Sequence, residues 1–576
     1  MTQHKTDILS KAKLWLTDTF DNETQDQINQ LISDNPKDLE ESFYKNAEFG
    51  TGGMRGIMGV GPNRINKYTL GKNTQGLSNY LKRSFDDEEI RAVIAYDCRK
   101  NSKEFAQIVA DIFSANGIKV FLFSELRPTP ELSFAVKYLD CHCGIVLTAS
   151  HNPPEYNGYK VYWRDGGQLV PPQDNEIIKE IEGLDYSEIK FQADPSLIEL
   201  IDEKVDNAFQ QASVENGDFG TASSAKDDLK IVFTSLHGAS STATPQVLER
   251  AGFKNVFLVE EQAKPDSNFP TVKSPNPEEP EALKLAMKLA EENDADIVIG
   301  TDPDGDRLGI AVRDLNNKLL LLNGNQTMVV MTWFLLDQWK KKNKLTPVSF
   351  VASTIVSTPM IKEITHKFGA QYKEVLTGFK WIAKLIHEHS ELDFVGGGEE
   401  SFGYMVGDFV RDKDATTSTL LACEIAARLK ANGTSFYQQL LSLYTEFGYY
   451  KEELISLVKK GIEGENEIKQ MMIDLRENPL KEINGEKVVL IEDYQTSISR
   501  NIQENTQSPI DLPRSNVLIY YTEEGSKIAA RPSGTEPKIK FYISVNEELR
   551  SASDFDKVNE LLDKKIAGIR AALQVD

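Results

Sequence analysis

A strand, a polar loop, a helix and a second strand recur three times along the chain, and this repetition constrains the fold more than any other feature. The copies occupy 91–123, 229–259 and 349–369. Such alternation builds parallel βαβ sheets, and copies that lie a domain's length apart indicate separate units. The sequence therefore predicts three related α/β domains, each directing a loop toward a shared centre.

Length and changes of pattern suggest how the chain divides. At 576 residues it exceeds what a single hydrophobic core supports. Residues up to about Asn46 have helical spacing, and beyond Tyr450 a charged stretch precedes two alternating strands joined by a hairpin signal, at 516–522 and 527–531. We expect a smaller α+β domain here, with a hinge at 449–454 that lets it close over a ligand. The predicted domains are 1–211, 212–322, 323–450 and 451–576.

Charge and cysteine content exclude several classes of partner and compartment. A formal net charge of -23 argues against nucleic acid and anionic membranes, which bind basic surfaces. The longest apolar stretch, 327–336, is too short to span a bilayer, and the amino terminus lacks the apolar core of a signal peptide. Cys141 and Cys143 flank a histidine, but no second pair lies at zinc-site spacing. Few, scattered cysteines suit a reducing compartment, so we expect a cytoplasmic protein.

Ser150 lies on a turn directly after the strand-like run 143–147. The carboxyl end of such a strand is where open α/β sheets place their chemistry. A serine hydroxyl needs a base or a metal beside it, and His151 and Lys160 are the nearest suitable groups in the sequence. Considered alone, the segment is equally typical of a capped turn, because serine and asparagine commonly bond their own backbone in loops.

Three alternating carboxylates follow a second strand-like run, at Asp302, Asp304 and Asp306. Hard oxygen ligands crowded in a tight loop suit one Mg²⁺ ion, and without a cation they would repel one another. An EF-hand also opens with this alternation. Its required glycine and its twelfth-position glutamate would fall here on Arg307 and Arg313, so the EF-hand is excluded.

Further loops carry groups that suit a sugar phosphate. Glu399 and Ser401 could exchange hydrogen bonds with sugar hydroxyls, and Lys380 could meet an anion. The charged stretch 412–414 reads as a solvated loop. The glycine-rich segment around Arg55 predicts an anion contact.

A cradle for phosphate is predicted near the carboxyl end, where an arginine fork, hydroxyls, a glycine amide and a lysine lie close together. Its members are Arg531, Ser533, Gly534, Thr535 and Lys540. A serine on a turn after a strand, a carboxylate metal loop, a polyol-binding loop and a phosphate loop together indicate phosphoryl transfer on a sugar phosphate.

Four of these loops resemble, in order, the signature loops of the α-D-phosphohexomutases. They lie at 148–153, 302–307, 398–401 and 531–537. The resemblance implies a heart-shaped, four-domain enzyme of three α/β domains and a smaller last domain, with one loop from each lining a central cleft. It also implies that Gly378 and Lys380 join Glu399 and Ser401 in binding the sugar.

The resemblance further implies that Ser150 is phosphorylated in the active form, and that Mg²⁺ lies on the three aspartates and that phosphate. The phosphoryl group would pass to a sugar monophosphate through a bisphosphate intermediate. Lys160 and His151 match positions linked to proton transfer, and Arg307 completes the catalytic set. Lys160 is the favoured general base, which requires that its pKa be lowered.

The reading Glu-Glu-Ser-Phe-Gly-Tyr at 399–404 resembles the phosphoglucomutase branch. We expect interconversion of glucose 1-phosphate and glucose 6-phosphate, with glucose 1,6-bisphosphate as activator, by a monomer or homodimer. The alternatives are a phosphopentomutase, a phosphomannomutase or a glucose-1,6-bisphosphate synthase. A serine hydrolase is disfavoured because Thr148 and Asn152 replace the glycines of its nucleophile motif. A sugar-phosphate sensor would not need both the serine and the aspartates, and release of inorganic phosphate would reveal a phosphatase.

Overall fold

The computed structural model describes residues 2–50, 52–459, 461–533 and 538–575. The chain forms two compact units, and each draws on separated stretches of sequence. Unit 1 comprises Met1–Gly324 and Phe379–Gly433, and unit 2 comprises Asn325–Gly378 and Thr434–Asp576. Among the described residues, no helix combines the length and the apolar character needed to cross a bilayer.

The helices of the described residues alternate with strands through most of the chain. In chain order they are α1 (Thr2–Leu14), α2 (Asn22–Asp34), α3 (Pro36–Phe43), α4 (Lys67–Ser84), α5 (Ser102–Ala115), α6 (Thr129–Tyr138), α7 (Gln173–Gly183), α8 (Glu203–Gly217), α9 (Ser223–Asp228), α10 (Thr244–Arg250), α11 (Glu260–Ala263), α12 (Lys284–Asn293), α13 (Gly324–Lys341), α14 (Met360–Phe368), α15 (Lys380–Glu388), α16 (Ala415–Ala431), α17 (Phe436–Phe447), α18 (Gly461–Glu477) and α19 (Phe555–Leu573). Short 3₁₀ turns lie at Tyr186–Glu188, Pro195–Leu197, Ala239–Thr242 and Ala552–Asp554.

The strands are mostly short and apolar. In chain order they are β1 (Gly53–Ile57), β2 (Arg91–Tyr96), β3 (Lys119–Phe123), β4 (Cys143–Leu147), β5 (Tyr156–Trp163), β6 (Ile198–Ile201), β7 (Ile231–Thr234), β8 (Val256–Leu258), β9 (Ile297–Thr301), β10 (Leu308–Arg313), β11 (Leu319–Leu322), β12 (Ser349–Thr354), β13 (Gln371–Val375), β14 (Asp393–Glu399), β15 (Gly403–Val406), β16 (Tyr449–Val458), β17 (Glu482–Ile483), β18 (Glu486–Asp493), β19 (Ile498–Asn501), β20 (Thr506–Pro509), β21 (Leu518–Thr522), β22 (Lys527–Pro532) and β23 (Lys538–Glu547).

The first sheet of unit 1 has the strand order β1-β5-β4-β2-β3-β6. Strands β3 and β4 run parallel to β2, so the loops that leave β2, β3 and β4 emerge at one edge. Both faces of β2 are buried: Ala92 and Ile94 pack in the core beside α5, whereas Val93 and Ala95 pack in the core beside α6. This alternation is expected for a parallel sheet covered by helices on both faces.

The second sheet of unit 1 has the order β11-β10-β9-β7-β8, in which β7 is parallel to β8 and β9. Strand β10 turns back antiparallel to β9, with Thr301 opposite Leu308, so the six residues between them form a hairpin loop. A further hairpin in this unit joins β14 to β15, with Glu399 opposite Gly403.

Unit 2 contains a parallel pair, β12 and β13, connected by α14. Its larger sheet has the order β16-β23-β22-β21-β18-β19-β20, with β17 paired to β18. Neighbouring strands along this path run antiparallel. Helix α19 packs on the sheet through buried Leu562, Ile566 and Ile569.

The predicted repeats are confirmed. Each becomes a parallel strand pair with a helix between: β2-α5-β3, β7-α10-β8 and β12-α14-β13. The predicted hairpin near the carboxyl end is also confirmed, since Leu518 pairs with Ala530. The predicted hinge at 449–454 is wrong. These residues form the first part of strand β16, which pairs with β23 from Tyr449 to Val458. Their backbone is hydrogen-bonded to the neighbouring strand, so the segment is not a flexible linker.

Candidate active site

Ser150 lies three residues beyond Leu147, the last residue of β4, at the edge where the parallel strands of the first sheet end. Its backbone is left-handed, with φ of 53°, a conformation that L-residues rarely adopt outside functional turns. The Thr148 hydroxyl oxygen accepts the Ser150 N–H at 2.8 Å. The Ser150 hydroxyl is buried and donates to Asp302 Oδ2 at 2.8 Å. The serine is therefore fixed by its own loop and aimed at the second sheet.

Arg99 holds the loop that carries Ser150. It follows β2, and its buried guanidinium donates to the carbonyl oxygens of Ser150 at 2.6 Å, Pro153 at 2.8 Å and Tyr156 at 3.1 Å. It also bonds the carbonyl of Asn152. Asp97 Oδ2 lies 3.3 Å from Nε of the same arginine. Because a rigid fork makes several bonds at once, Arg99 can hold the serine loop in its strained conformation.

The carboxylates of Asp302, Asp304 and Asp306 lie on the hairpin loop between β9 and β10. All three are almost completely buried, and one oxygen from each lies within 4.8 Å of the others. Asp302 Oδ1 accepts the N–H groups of Asp306 at 3.1 Å and Arg307 at 3.0 Å, which closes the loop tightly. Gly305 has φ of +68°, and a Cβ there would lie 2.8 Å from Pro128 Cβ, so a glycine is required.

Two lysines contact this cluster. Lys160, on β5, lies with its Nζ 2.6 Å from Asp304 Oδ2 and 3.0 Å from Asp306 Oδ2. Lys413 Nζ lies 3.2 Å from Asp306 Oδ2. The prediction that 412–414 is a solvated loop is wrong, because Asp412 and Asp414 are buried and the Lys413 side chain is only 12% exposed.

Charge and burial shift the pKa values of the groups in this cluster in different directions. Burial and the repulsion of its two neighbours raise the pKa of Asp302. Burial, and at Asp306 the charge of Asp304, would raise the pKa of these two carboxyls, but the attraction of Lys160 and Lys413 outweighs this and lowers the pKa of both. Burial alone would lower the pKa of Lys160, yet Asp304 and Asp306 outweigh it and raise that pKa. Lys160 is therefore a cation here, opposite to what the general-base expectation required.

The donor set fits a magnesium ion. Oδ1 of Asp304 and Oδ1 of Asp306 are buried without a hydrogen-bond partner among the described residues. Leaving buried carboxylate oxygens unsatisfied is costly, and hard oxygen ligands in a rigid loop are what Mg²⁺ prefers. The three predicted aspartates thus lie together, in an arrangement that could hold a metal ion.

Arg307 connects the metal loop to the loop at 399–401. It forms an ion pair with Glu278. Burial alone would lower its pKa, but Glu278 and Asp306 outweigh burial and raise it, with a smaller contribution from Glu399. The backbones of the two loops are also joined, since the Leu308 N–H donates to the Phe402 carbonyl at 2.9 Å and Arg307 forms an isolated β-bridge with Gly403. Glu399, the last residue of β14, is buried, and Ser401, in the turn that follows, is half-buried.

His151 and Arg55 flank the serine. His151 Nδ1 lies 3.2 Å from Ser150 Oγ. Burial and the positive charges of Arg307 and Arg55 lower the pKa of His151 well below its usual value, so the ring is neutral at pH 7. Arg55 is exposed and donates to Asn152 Oδ1 at 2.9 Å, beside the serine turn.

The remaining predicted residues lie on other elements. Arg531 and Lys540 occupy directly opposite positions of the antiparallel strands β22 and β23. Ser533 follows, and its N–H donates to the Lys538 carbonyl at 2.7 Å, while Gly534 and Thr535 lie outside the described residues. Lys380 begins helix α15 of unit 1, whereas Gly378, with φ of 114°, ends a segment of unit 2.

Sequence comparisons identify relatives of the whole chain. Residues 46–188, 207–316 and 323–447 match the phosphoglucomutase/phosphomannomutase α/β/α domains I, II and III. A protein of Staphylococcus haemolyticus named Phosphoglucomutase is 40% identical, over 92% of this chain and 95% of that protein. A Phosphoglucomutase of Staphylococcus aureus is 39% identical, over 91% and 93%. The chain belongs to the phosphoglucomutase/phosphomannomutase family. The predicted family is confirmed.

Solved structures of the phosphoglucomutase/phosphomannomutase family share the fold. The phosphoglucomutase parafusin from Paramecium, in an open form, has a TM-score of 0.67 at 17% identity, covering 92% of this chain and 96% of that one. A family protein from Burkholderia thailandensis has a TM-score of 0.65 at 19% identity, covering 90% and 98%. The predicted fold class, three α/β domains followed by a further domain, is confirmed.

Sequence reasoning missed two residues of this family member's site. Arg99 follows a strand, and only its position at the same sheet edge as Ser150 could have singled it out. Lys413 lies between two aspartates and resembles a surface residue in sequence, but the apolar helix that follows it, α16, indicates burial.

Proposed function

We propose that this chain interconverts glucose 1-phosphate and glucose 6-phosphate. The observation that carries the proposal is the Ser150 hydroxyl, buried and donating at 2.8 Å to one aspartate of a three-carboxylate cluster. The name of the relatives at 39% and 40% identity supports glucose as the sugar.

In the proposed reaction, Ser150 carries a phosphoryl group. The free hydroxyl of the sugar monophosphate attacks that phosphorus, so a bond from the sugar oxygen to phosphorus forms while the bond from Ser150 Oγ to phosphorus breaks. The sugar hydroxyl loses its proton and Ser150 gains one. The product is glucose 1,6-bisphosphate. This intermediate reorients in the site, and Ser150 Oγ then attacks its other phosphorus, which restores the phosphoserine and releases the isomeric sugar monophosphate.

The residues around Ser150 suit these roles. Neutral His151, 3.2 Å away, can accept and return a proton through Nδ1. Lys160, Lys413 and Arg307 are cations, so they stabilise the negative charge of the transferring group. Lys160 holds its proton and is therefore assigned to charge stabilisation and proton donation.

Asp302, Asp304 and Asp306 would hold Mg²⁺ together with the Ser150 phosphate. When bound, the ion supplies positive charge that offsets charge developing on the phosphoryl oxygens.

The sugar ring and the phosphate that does not react are assigned to two further sets of residues. Glu399 and Ser401, with Gly378 and Lys380, would hydrogen-bond the sugar. Arg531, Ser533, Gly534, Thr535 and Lys540 would bind the phosphate that does not react. The register of β22 and β23 supports this, because it places Arg531 directly opposite Lys540, so that two cationic side chains lie at the start of this loop. Arg55 would contact phosphate beside the serine turn.

A coupled assay tests the proposal. Turnover of glucose 1-phosphate is measured with Mg²⁺ and a trace of glucose 1,6-bisphosphate, beside mannose 1-phosphate and ribose 1-phosphate, for wild type and Ser150→Ala. We expect glucose phosphate to dominate and the variant to lose activity. Full activity in Ser150→Ala would refute the mechanism, and a preference for mannose or ribose phosphate would refute the substrate. Light scattering on the same preparation tests a monomer or homodimer.

A further inference from the structure

Helix α6 begins against the metal loop. It follows β3, at the same sheet edge as the Ser150 turn, and Thr129 is its first residue. No side chain caps this helix. Instead the Thr129 N–H donates to the backbone carbonyl of Asp304 at 2.8 Å, so the metal loop itself satisfies the helix terminus.

The Thr129 side chain makes a second bond to the same aspartate. Its hydroxyl donates to Asp304 Oδ2 at 3.1 Å, and both residues are completely buried. Lys160 contacts that same oxygen at 2.6 Å. Oδ2 of Asp304 thus accepts two hydrogen bonds, whereas Oδ1 has no hydrogen-bond partner among the described residues.

The segment that carries Thr129 is itself rigid. Arg127 donates two bonds of 2.8 Å to the carboxylate of Asp206 and bonds Asp202 at 3.3 Å. Pro128 packs against Gly305, where an added Cβ would lie 2.8 Å away. A bidentate arginine pair and a glycine contact hold the start of α6 on the metal loop.

We propose that Thr129 is a positioning residue for the metal ligand Asp304. Its hydroxyl and the Lys160 ammonium fix Oδ2, which turns Oδ1 of the carboxylate toward a bound divalent cation. The same bond joins the sheet that carries Ser150 to the loop that carries the aspartates. The inference rests on the proposed function only in assigning that cation to the aspartates.

The experiment is a calorimetric titration of the full-length chain with Mg²⁺, on preparations matched for Ser150 phosphorylation by intact mass. Thr129→Val removes the hydroxyl and keeps both the shape and the backbone N–H bond, and Thr129→Ser keeps the hydroxyl. Thr365→Val is the matched control, because Thr365 is equally buried but its hydroxyl, among the residues that the structure describes, bonds only the Ile361 carbonyl within α14.

We expect Thr129→Val to bind Mg²⁺ about tenfold more weakly, as is usual when a partner of a metal ligand is lost, and Thr129→Ser to bind within about threefold of wild type. Thr365→Val should match wild type. The Mg²⁺ concentration for half-maximal activity should rise in step, while KM for glucose 1-phosphate at saturating Mg²⁺ should change less than about twofold.

Wild-type affinity in Thr129→Val, or an equal loss in Thr129→Ser or Thr365→Val, would overturn the inference. If circular dichroism shows that Thr129→Val does not fold, the comparison of Thr129→Ala with Thr129→Ser decides the question in the same way. Because the titration contains no sugar phosphate, a chain that shows these affinities but turns over no glucose 1-phosphate would refute the proposed function alone.

Discussion

Replacing Lys413 with methionine should destabilise the chain strongly, and more so without metal than with it. Lys413 Nζ lies 3.2 Å from Asp306 Oδ2, and their side chains are 12% and 2% exposed. Removing one partner of a buried ion pair costs about 3–5 kcal/mol when the other charge is left uncompensated, and because Asp306 keeps its contact with Lys160 we expect a loss at the lower end, about 3 kcal/mol. The aspartate cluster would keep Lys160 as its remaining lysine contact.

Magnesium should recover part of this loss, because the variant has lost a cation that competes with Mg²⁺ for the cluster. For each tenfold by which Lys413→Met binds Mg²⁺ more tightly than wild type, the stability difference should shrink by about 1.4 kcal/mol at saturating metal. The measurement is scanning calorimetry in EDTA and in excess Mg²⁺. In EDTA we expect the transition that responds to Mg²⁺ to fall by about 4 °C.

Lys254→Met is the matched control. Lys254 also pairs with an aspartate, Asp227 at 3.0 Å, but its side chain is 72% exposed, so its removal should cost less than about 1 kcal/mol. The reasoning is refuted if Lys413→Met loses no more stability than Lys254→Met. It is also refuted if the loss is the same in EDTA and in Mg²⁺.

Three further outcomes are expected. Arg99→Lys, which cannot reproduce the fork that holds the serine loop, should lower kcat about 100-fold with little change in KM; steady-state kinetics showing unchanged kcat would contradict this. Arg531→Met should raise KM for glucose 1-phosphate about tenfold, and an unchanged KM would remove Arg531 from the phosphate site. Burial raises the pKa of Asp414 to about 6 despite its bonds to Thr417, so the folded state holds a proton that the unfolded state releases, and stability from this group falls as pH rises from about 4 through 6. Asp414→Asn should therefore gain stability relative to wild type as the pH rises from about 4 to about 6 in thermal unfolding, and a difference independent of pH would contradict the assignment.

Features that depend on neighbouring residues could be predicted from the sequence. The serine turn and the aspartate loop each follow an apolar strand, and their chemistry lies within a few residues of chain. The three strand–helix–strand copies were predictable for the same reason, since apolar periodicity and turn residues are local signals.

Contacts between distant segments could not be predicted in this way. Thr129 and Asp304 are 175 positions apart, and Lys160 and Asp304 are 144 apart. The pKa of Lys160 illustrates the consequence. Its own segment suggests only burial, which lowers a lysine pKa, whereas the aspartates contributed by the second sheet reverse the direction.

The hinge prediction failed for a related reason. Tyr449–Val458 follows a helix and has mixed polarity, which is typical of a linker, but its partner strand β23 lies about ninety residues further along the chain. A strand that is half exposed on an edge is recognisable only when its partner is known.

The interleaving of the two units constrains how the protein can be made. The chain enters unit 2 at Asn325, returns to unit 1 at Phe379 and leaves it again after Gly433. During synthesis, a nascent chain that has passed Arg307 already contains the serine and all three aspartates, yet it lacks Lys413 and Glu399. Unit 1 must therefore remain incomplete at the ribosome while more than a hundred further residues emerge. During that period, chaperones can bind the surfaces that the later segments cover.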